Sequence, residues 1–369
     1  MSSLEILLTG DLILDEPDPD HWLSGIAQRT RKADLTIGHL EVPHTHGGQE
    51  RGDDIPAPAA DPAHLSALKR AGFAAVTLAG NHMADQGAEG IEDTIAGLER
   101  VGVAHCGAGP SLAQAQRPAV LERCGRRVGV LSFNCVGPQS SWAGPDRAGV
   151  AFVRVASADG EPITPSAALA CIDPISLANM RAIVEHARSQ LDLLIVAFHK
   201  GMVHRPAVLA PYERPLSQAA IDAGADVVVG HHAHIIKGIE LYRGNPIFHG
   251  LGNGCVITRA LSPAQRHPQR EAWARRRREL FNFEPDPAYE LAPFHPEAVH
   301  GMMARVTQQG NGTLDVGFVP VHIEAPGRPV LASPEQALRI RDYVAGITIK
   351  GGLPPLDLVL SGDTVQVPA

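Results

Sequence analysis

The sequence has few cysteines and no long apolar run. Its five cysteines are scattered and never form a Cys-x-x-Cys pair. This pattern argues against a disulfide framework or a thiolate zinc site, and favours reduced thiols in the cytoplasm. No apolar stretch approaches the roughly 18 residues of a membrane-spanning helix, and the first residues lack the basic and apolar regions of a signal peptide. We therefore expect a cytoplasmic protein with no membrane partner.

Positive charge is also in short supply. The formal net charge is -8, whereas a dedicated nucleic-acid-binding protein normally carries a basic face, so we expect no nucleic-acid partner. The exception is the run Arg275-Arg276-Arg277-Arg278 in a predicted helix over 270–278. Four adjacent arginines point all round a helix, which is typical of a solvated face. The alternative is a lid that attracts an anionic substrate, or a dimer surface that would make the protein a homo-oligomer.

What the sequence does contain is an alternation of short apolar runs with helical patterns, typical of an α/β sheet. The predicted strands are 4–8, 35–40, 74–78, 127–133, 193–198 and 225–229, and the predicted helices are 62–71, 88–101, 174–190 and 213–223. From about residue 235 hairpins are predicted instead, over 235–251 and 301–323. We expect a single domain over 1–330 with insertions near 138–174 and 262–295. A C-terminal helix and tail over 331–369 would pack on it.

The most informative segment of the chain is Gly230-His231-His232-Ala233-His234, which follows a predicted apolar strand. Neutral imidazole is the commonest protein ligand for metals. On an extended or tightly turned backbone, alternate residues point to one side, so His232 and His234 are able to reach the same ion. The alternative is a polar loop that is merely rich in histidine.

Four other predicted strands also end in polar side chains. They run into Thr9-Gly10-Asp11, into His39-Leu40-Glu41, into Gly80-Asn81-His82 and into His199-Lys200-Gly201. Because the carboxyl ends of parallel strands meet at one edge of a sheet, we expect these residues to converge. Carboxylates, imidazoles and an amide oxygen without thiolates suit Mn, Fe or Zn, and more than four such ligands suit a two-metal centre.

The order of these motifs, Gly-Asp, Gly-Asn-His, an isolated His and Gly-His-x-His, resembles the calcineurin-like metallophosphoesterase superfamily. Within it the sequence is most similar to the CapA/PgsA-like capsule-synthesis family associated with poly-γ-glutamate. The segments that carry this finer resemblance are Leu40-Glu41-Val42-Pro43, residues 78–87, 223–234 and 239–240, and 246–253. Together they span roughly residues 5–255.

The resemblance implies an α/β fold of the metallophosphoesterase type, a four-layer αββα sandwich with mixed sheets and a dinuclear metal site. Position by position, the implied metal ligands are Asp11, Glu41, Asn81, His199, His232 and His234. His82 would protonate the leaving group or stabilise the transition state, and Asp85 would orient His82. The alternatives are that Asp11 is a helix cap or turn residue and that Asp85 only stabilises the turn before Gly87. His231 is expected to support the ligands or the fold rather than to bind metal.

The sequence also departs from the family pattern at three places. Ile13 stands two residues after Asp11, where the superfamily has a histidine, and His39 stands where the closer family has Asn. The family's His-Trp-Gly-x-Glu reads His199-Lys200-Gly201-Met202-Val203. We assign Lys200, His204 and Arg205 to substrate binding, since cations there suit a carboxylate or phosphate. His39 is assigned to substrate binding as well, with an extra metal ligand as the alternative.

These observations predict a cytoplasmic metal-dependent hydrolase that directs a metal-activated water at an anionic small molecule. Two divalent ions, Mn, Fe or Zn, are the expected cofactors, and the bond cut is a phosphoester or a γ-glutamyl-like amide. The alternative is a non-catalytic accessory protein of poly-γ-glutamate synthesis or export. A nucleic-acid phosphodiesterase is disfavoured by the net negative charge.

Overall fold

A computed structural model describes residues 3–51, 57–165, 167–260 and 282–368, together with the single positions 268, 271, 272 and 279. The predicted arginine run at 275–278 lies outside the described residues. The bounds of the strands and helices follow in chain order.

The strands are β1 Leu4–Leu14, β2 Leu35–Leu40, β3 Ala75–Thr77, β4 Ala104–Cys106, β5 Ala108–Gly109, β6 Ala119–Arg123, β7 Arg126–Asn134, β8 Gly149–Val150, β9 Val155–Ser157, β10 Leu169–Ile172, β11 Leu193–His199, β12 Val227–His231, β13 Ile239–Tyr242, β14 Asn245–Phe248, β15 Asn253–Ile257, β16 His300–Gln308, β17 Leu314–Glu324, β18 Arg328–Leu331, β19 Val359–Ser361 and β20 Thr364–Gln366. The helices are α1 Pro19–Lys32, α2 Leu65–Arg70, α3 Gly87–Val101, α4 Leu112–Ala115, α5 Pro174–Arg188, α6 Glu213–Asp222 and α7 Pro334–Lys350.

The strands that precede the polar motifs belong to two different sheets. In the described residues the larger sheet has the order β19-β20-β17-β16-β1-β2-β3-β4, with β15 also paired to β1 and β18 to β17. The second sheet has the order β13-β14-β12-β11-β7-β6. Both are mixed, because β1, β2, β3 and β4 run parallel whereas β16 is antiparallel to β1, and β6 is antiparallel to β7. The motifs therefore converge across two sheets rather than along one edge.

The two sheets pack face to face, with helices on their outer faces. Ile6 of β1 and Ile195 of β11 belong to one buried cluster, whereas their neighbours Leu7 and Val196 belong to a second cluster that contains residues of the helices, such as Val184 of α5. This alternation is the period of two that a strand buried on both faces requires. Each buried aliphatic side chain contributes roughly 1.5–3 kcal/mol to stability. The prediction of an αββα sandwich with mixed sheets is confirmed.

Strand β1 continues well beyond the predicted bound at residue 8. The apolar residues after Gly10 keep the chain extended to Leu14, so Asp11 lies inside the strand rather than after it. The register with β2 shifts between Leu8 and Asp11, and the register with β15 shifts directly after Asp11. Such irregularities re-aim a side chain. Here the residue at the irregularity is the buried carboxylate.

Gly10 lies in β1 beside its parallel neighbour β15, and its replacement is expected to destabilise the fold. A methyl group at residue 10 would overlap the carbonyl oxygen of Gly252 and lie 3.1 Å from the nitrogen of Gly254. Both are backbone atoms, one in β15 and one directly before it. We expect Gly10→Ala to lower the free energy of unfolding by about 2–3 kcal/mol, measured by urea denaturation, because overpacking of this kind strains the backbone.

A matched control for this variant is Gly346→Ala in α7, where an added methyl meets nothing within 4 Å. Alanine is the better helix former, so this change is expected to leave stability unchanged or raise it by up to about 1 kcal/mol. Equal stability of the two variants would contradict the close approach at Gly10.

The C-terminal part of the chain closes one side of the sandwich. Ile340 and Val344 of α7 lie in the cluster between the sheets, together with Ile239 of β13 and Phe318 of β17. Strand β20 then pairs with β17 and extends the larger sheet. The predicted boundary at residue 330 stays a prediction. Among the described helices, none combines the length and the apolarity that crossing a bilayer requires.

Glu240 of β13 gives the stability of the fold an expected dependence on acid pH. Burial by itself would raise the pKa of Glu240, but hydrogen bonds from His249, Arg214 and Gln218 lower it to about 2, below the ordinary 4.5. A carboxyl whose pKa is lower in the folded state stabilises that state above about pH 4.5, and this contribution is lost as the pH falls towards 2. We expect the free energy of unfolding of Glu240→Gln, measured in EDTA, to fall less steeply over this range than that of the unsubstituted protein. Identical slopes would contradict this assignment.

Candidate metal centre

Three strands of the larger sheet bring Asp11, His39 and Asn253 side by side. Asp11 of β1 is in register with His39 of β2 on one side and with Asn253 of β15 on the other. The backbone N–H of Asp11 donates to the carbonyl oxygen of Gly252 at 3.0 Å. Asp11 and His39 are almost completely buried. These three side chains form the floor of the candidate site.

The second sheet contributes its imidazoles from the ends of β11 and β12. His199 and His231 are the last residues of these strands and are paired in register. Directly after β12 the backbone turns, because His232 and His234 both have positive φ, at 84° and 51°. A left-handed conformation is costly for a residue with a side chain, by roughly 1–3 kcal/mol, and persists where the surroundings enforce it. The turn carries the histidines towards the larger sheet.

Asp11 is the residue on which this turn converges. The backbone N–H of His232 donates to Asp11 Oδ2 at 3.2 Å. His231 Nδ1 lies 3.3 Å from Asp11 Oδ1, and His234 Nδ1 lies 3.7 Å from Asp11 Oδ2. Burial raises the pKa of Asp11, and the neighbouring charge of Glu41 raises it further. Asp11 therefore needs nearby positive charge to remain ionised.

Glu41 lies directly after β2 and is the second buried carboxylate of the site. Its Oε1 lies 3.3 Å from His234 Nε2 and 4.0 Å from His199 Nε2. Burial would raise the pKa of Glu41, but the adjacent His234 lowers it to about 2. Burial likewise opposes the charge of His234, yet Glu41 raises the pKa of that imidazole to about 9. The second nitrogen of His234, Nδ1, lies 2.9 Å from Asn253 Oδ1, which fixes the ring.

Several polar atoms of this cluster are buried with no hydrogen-bond partner among the described residues. They are His39 Nε2, Glu41 Oε2, His199 Nδ1 and both ring nitrogens of His232. Leaving a buried polar group unpaired costs about 1–3 kcal/mol, so such a concentration is unfavourable unless a ligand satisfies it. Two groups place their ligand atoms within 4.8 Å of one another: Asp11 with His39 and His199, and Asp11 with Glu41 and His234.

Three imidazoles of the cluster, those of His39, His199 and His232, are held in the neutral form that binds metals, whereas Glu41 favours the protonated form of His234. Burial lowers the pKa of His39 and of His199 well below 6.5, and the neighbouring imidazoles lower both further. The same effects lower the pKa of His232 to about 3. Neutral imidazole is the ligand form, and nitrogen and oxygen donors without thiolates suit Mn, Fe or Zn. The residues present therefore fit divalent metal ions.

Asn81 and His82 reach the cluster from the loop after β3. Asn81 Oδ1 lies 2.7 Å from His199 Nε2. His82 Nδ1 lies 2.8 Å from Asp85 Oδ2, and the same oxygen accepts the backbone N–H of Ala57. The ring of His82 is close enough that its charge would lower the pKa of Glu41 and of His232. Its side chain is 17% exposed, so it lies at the open side of the cluster.

The structure divides the four residues that the sequence assigns to substrate binding. His204 lies beside the site, with its ring stacked 6.0 Å from that of His234, and Arg205 next to it is exposed. His39, in contrast, is fully buried inside one of the candidate ligand groups. Its expected contact with substrate stays a prediction, and the structure places its ring among the candidate ligand atoms.

The structure places the ammonium group of Lys200 against Glu213 and His249, and its assignment to substrate binding stays a prediction. Its ammonium group is fully buried and lies 3.1 Å from Glu213 Oε2 and 3.3 Å from His249 Nδ1. Consecutive residues at a strand end point to opposite faces, so Lys200 points away when His199 points into the site. In this structure Lys200 stabilises the segment that leads to α6, and it has no exposed surface for a substrate.

Four residues near the site were not singled out from the sequence. Thr77 contacts His39, Asn253 contacts His234, and Phe294 stacks on His234 with ring centroids 4.7 Å apart. Arg51 donates from Nη1 to the carbonyl oxygen of Ser140, and both line a small cavity with Asn81 and Asp85. Of these four residues, only Asn253 lies within a segment that carries the family resemblance, 246–253. Its spacing from the other motifs did not indicate a role for it.

Comparison with known proteins agrees with the motifs. A family model described as "Bacterial capsule synthesis protein PGA_cap" matches residues 5–256. The chain is 27% identical over 246 residues to the capsule biosynthesis protein CapA of Bacillus anthracis, over 65% of this chain and 55% of that one. It is 27% identical over 270 residues to the PGA biosynthesis protein CapA of Bacillus subtilis, over 71% and 64%. The chain thus spans between about half and two thirds of the length of these relatives.

A further relative is a probable polyglutamine synthesis accessory protein of Mycobacterium tuberculosis, 33% identical over 212 residues, which are 54% of this chain and 47% of that one. Among solved structures, the calcineurin-like phosphoesterase YfkN from Bacillus subtilis matches 95% of this chain and 98% of its own, with 13% identity and a TM-score of 0.38. Because the family model covers well over half of the sequence, the chain belongs to the bacterial capsule synthesis family PGA_cap.

Proposed function

We propose that this member of the capsule-synthesis family is a metal-dependent hydrolase with a dinuclear centre. The observation that carries the proposal is the set of unpaired oxygen and nitrogen atoms buried around Asp11 and Glu41 among the described residues. Two acidic residues and several neutral imidazoles in one buried cluster pack unfavourably, but they are well suited to bind metal ions. The donor types suit Mn, Fe or Zn.

Two overlapping sets of residues would hold the ions. Asp11, Glu41 and His234 form one compact group of ligand atoms. The second set shares Glu41, whose Oε1 lies 4.0 Å from His199 Nε2, and adds the expected ligands Asn81, His199 and His232, with the rings of His199 and His232 4.8 Å apart. When bound, a pair of divalent ions acts as a Lewis acid, lowers the pKa of a water and clamps the oxygens of the group attacked.

His82 and Asp85 would handle the proton of the leaving group. A hydrogen bond between His82 Nδ1 and Asp85 Oδ2 at 2.8 Å fixes the tautomer and orientation of the ring. With the proton of Nδ1 directed at Asp85, the second nitrogen, Nε2, is the atom that exchanges a proton with substrate. General acid catalysis of this kind typically contributes about 10²–10⁴ in rate.

The rim of the site favours an anionic substrate. The guanidinium of Arg51 lies beside Asn81 and Asp85, and the exposed Arg205 follows His204. Both suit a carboxylate or a phosphate group. We propose a small anionic molecule that carries either a phosphoester or a γ-glutamyl-like amide; a cytoplasmic location stays a prediction.

A second candidate function is a non-catalytic accessory role in polyglutamate synthesis. The mycobacterial relative, a probable polyglutamine synthesis accessory protein, favours it. Against it stands the His82–Asp85 pair, which an accessory protein has no evident use for at the open side of a buried ligand cluster.

The proposal is tested by hydrolysis assays on protein reconstituted with Mn, Fe or Zn. Bis(p-nitrophenyl) phosphate and γ-glutamyl-p-nitroanilide represent the two bond types. We expect metal-dependent release of nitrophenol or nitroaniline that is lost in the variant His232→Ala/His234→Ala. Metal-loaded protein that hydrolyses neither bond type, in these and in wider panels of phosphoesters and γ-glutamyl amides, would favour the accessory role.

A further inference from the structure

His39 occupies an unusual position between the two sheets. It belongs to β2, in register with Asp11, and its side chain is fully buried. Its ring lies 4.6 Å from that of His199 and stacks 4.7 Å from that of His231. The imidazole of His39 thus lies beside polar side chains from three other strands, β1, β11 and β12.

We propose that His39 is a ligand of the metal centre through its Nε2 atom, in a group with Asp11 and His199. This inference rests on the proposed function, because it requires that the centre binds metal. It differs from the ligand set that the family motifs imply, in which residue 39 has no part.

The hydrogen bonding of His39 leaves the correct nitrogen for ligation. Nδ1 lies 2.9 Å from Thr77 Oγ1, and the Thr77 hydroxyl in turn faces the carbonyl oxygen of Gly38 at 3.4 Å. With its own proton directed at Gly38, the hydroxyl oxygen accepts from Nδ1–H. The lone pair of the ring then lies on Nε2. Ligating histidines commonly fix their tautomer in this way, through a partner on the other nitrogen.

Nε2 is aimed at the other candidate ligands. It has no hydrogen-bond partner in the described part of the chain, and Asp11, His39 and His199 place their ligand atoms within 4.8 Å of one another. A methyl group at Gly80 would lie only 2.9 Å from this nitrogen. The glycine therefore keeps that side of the imidazole open.

The position also compensates for a residue that this chain lacks. Ile13, two residues after Asp11, packs in an apolar cluster with Val42 and Val256 and offers no ligand atom. His39 supplies an imidazole to the same carboxylate from the neighbouring strand. A substrate contact is a weaker explanation, because the ring has no exposed surface.

The test compares His39→Asn with a matched control, His44→Asn. His44 is equally buried and also has an unpaired Nε2, but its Nδ1 contacts the carbonyl oxygen of Val42 and it lies in neither ligand group. Each protein is loaded with Co²⁺ or Zn²⁺, and metal content, affinity by chelator competition and the visible Co²⁺ spectrum are measured. We expect His39→Asn to bind one ion at least 10-fold more weakly with an altered spectrum, and His44→Asn to match the unsubstituted protein.

A second variant, Thr77→Val, tests the assignment of His39 without substituting His39 itself. It removes only the partner of Nδ1 and is expected to weaken metal binding about 10-fold, so it decides the question if His39→Asn does not fold. Unchanged affinity and spectrum in either folded variant would overturn the assignment of His39 alone. If the unsubstituted protein binds no metal, the proposed function fails with it.

Discussion

His82→Ala is expected to lower the kcat of hydrolysis by about 10²–10⁴-fold, the usual contribution of a positioned general acid. The substitution removes the group that lies at the open side of the cluster and contacts Asp85 at 2.8 Å. It removes none of the expected metal ligands, so two equivalents of metal should remain. Steady-state kinetics and metal analysis of the same preparation check both halves of this expectation.

Asp85→Asn separates orientation from proton transfer. Its carboxylate contacts the ring of His82 and accepts the backbone N–H of Ala57, so the amide keeps the shape and loses the charge. We expect a smaller fall in kcat, with the alkaline limb of the pH–rate profile displaced to lower pH because the general acid loses its anionic partner. A full-rate His82→Ala enzyme would show that the leaving group receives its proton elsewhere.

Glu41→Gln is expected to abolish stable metal binding, with an affinity loss of more than about 100-fold, since even the loss of a group behind a ligand costs 10–100-fold. Glu41 is fully buried; its Oε1 faces His234 Nε2 at 3.3 Å, and its Oε2 has no hydrogen-bond partner in the described residues. The amide has almost the same volume, so the change tests charge rather than packing. Isothermal titration with Mn²⁺ or Zn²⁺ measures the loss directly.

Glu240→Gln serves as the matched control for this substitution. Glu240 is a buried carboxylate too, but it is bound by Arg214, Gln218 and His249 rather than by the candidate ligands. We expect it to retain the metal affinity of the unsubstituted protein. Equal affinity in Glu41→Gln and Glu240→Gln would remove Glu41 from the centre.

Much of the architecture was predictable because it depends on apolar periodicity and on strand ends. The apolar runs before His199 and His231 predicted strands that the structure contains, and the motif order predicted the αββα arrangement. The assignment of the motifs to two sheets was not predictable from periodicity. Residues of β1 and β12 meet only because the sheets face each other. A local sequence pattern does not predict such a long-range arrangement.

Side-chain direction was the part of the site that sequence reasoning judged least well. His199 and Lys200 are adjacent, and a strand end sends adjacent side chains apart, so the two had no reason to share a role. The same rule failed at His231 and His232, because the positive φ of His232 turns the chain and brings both residues to Asp11. The spacing of residues along the sequence does not predict a positive φ at a histidine.

The most direct test of a dinuclear hydrolase is the number of divalent ions that each chain binds. The protein would be reconstituted with Mn, Fe or Zn, freed of excess ions by gel filtration and examined by inductively coupled plasma mass spectrometry, beside His232→Ala/His234→Ala. A dinuclear centre requires about two equivalents per chain, lost in the variant. Absence of bound metal in the reconstituted protein, with all three ions tried, would contradict the proposed centre and with it the hydrolase.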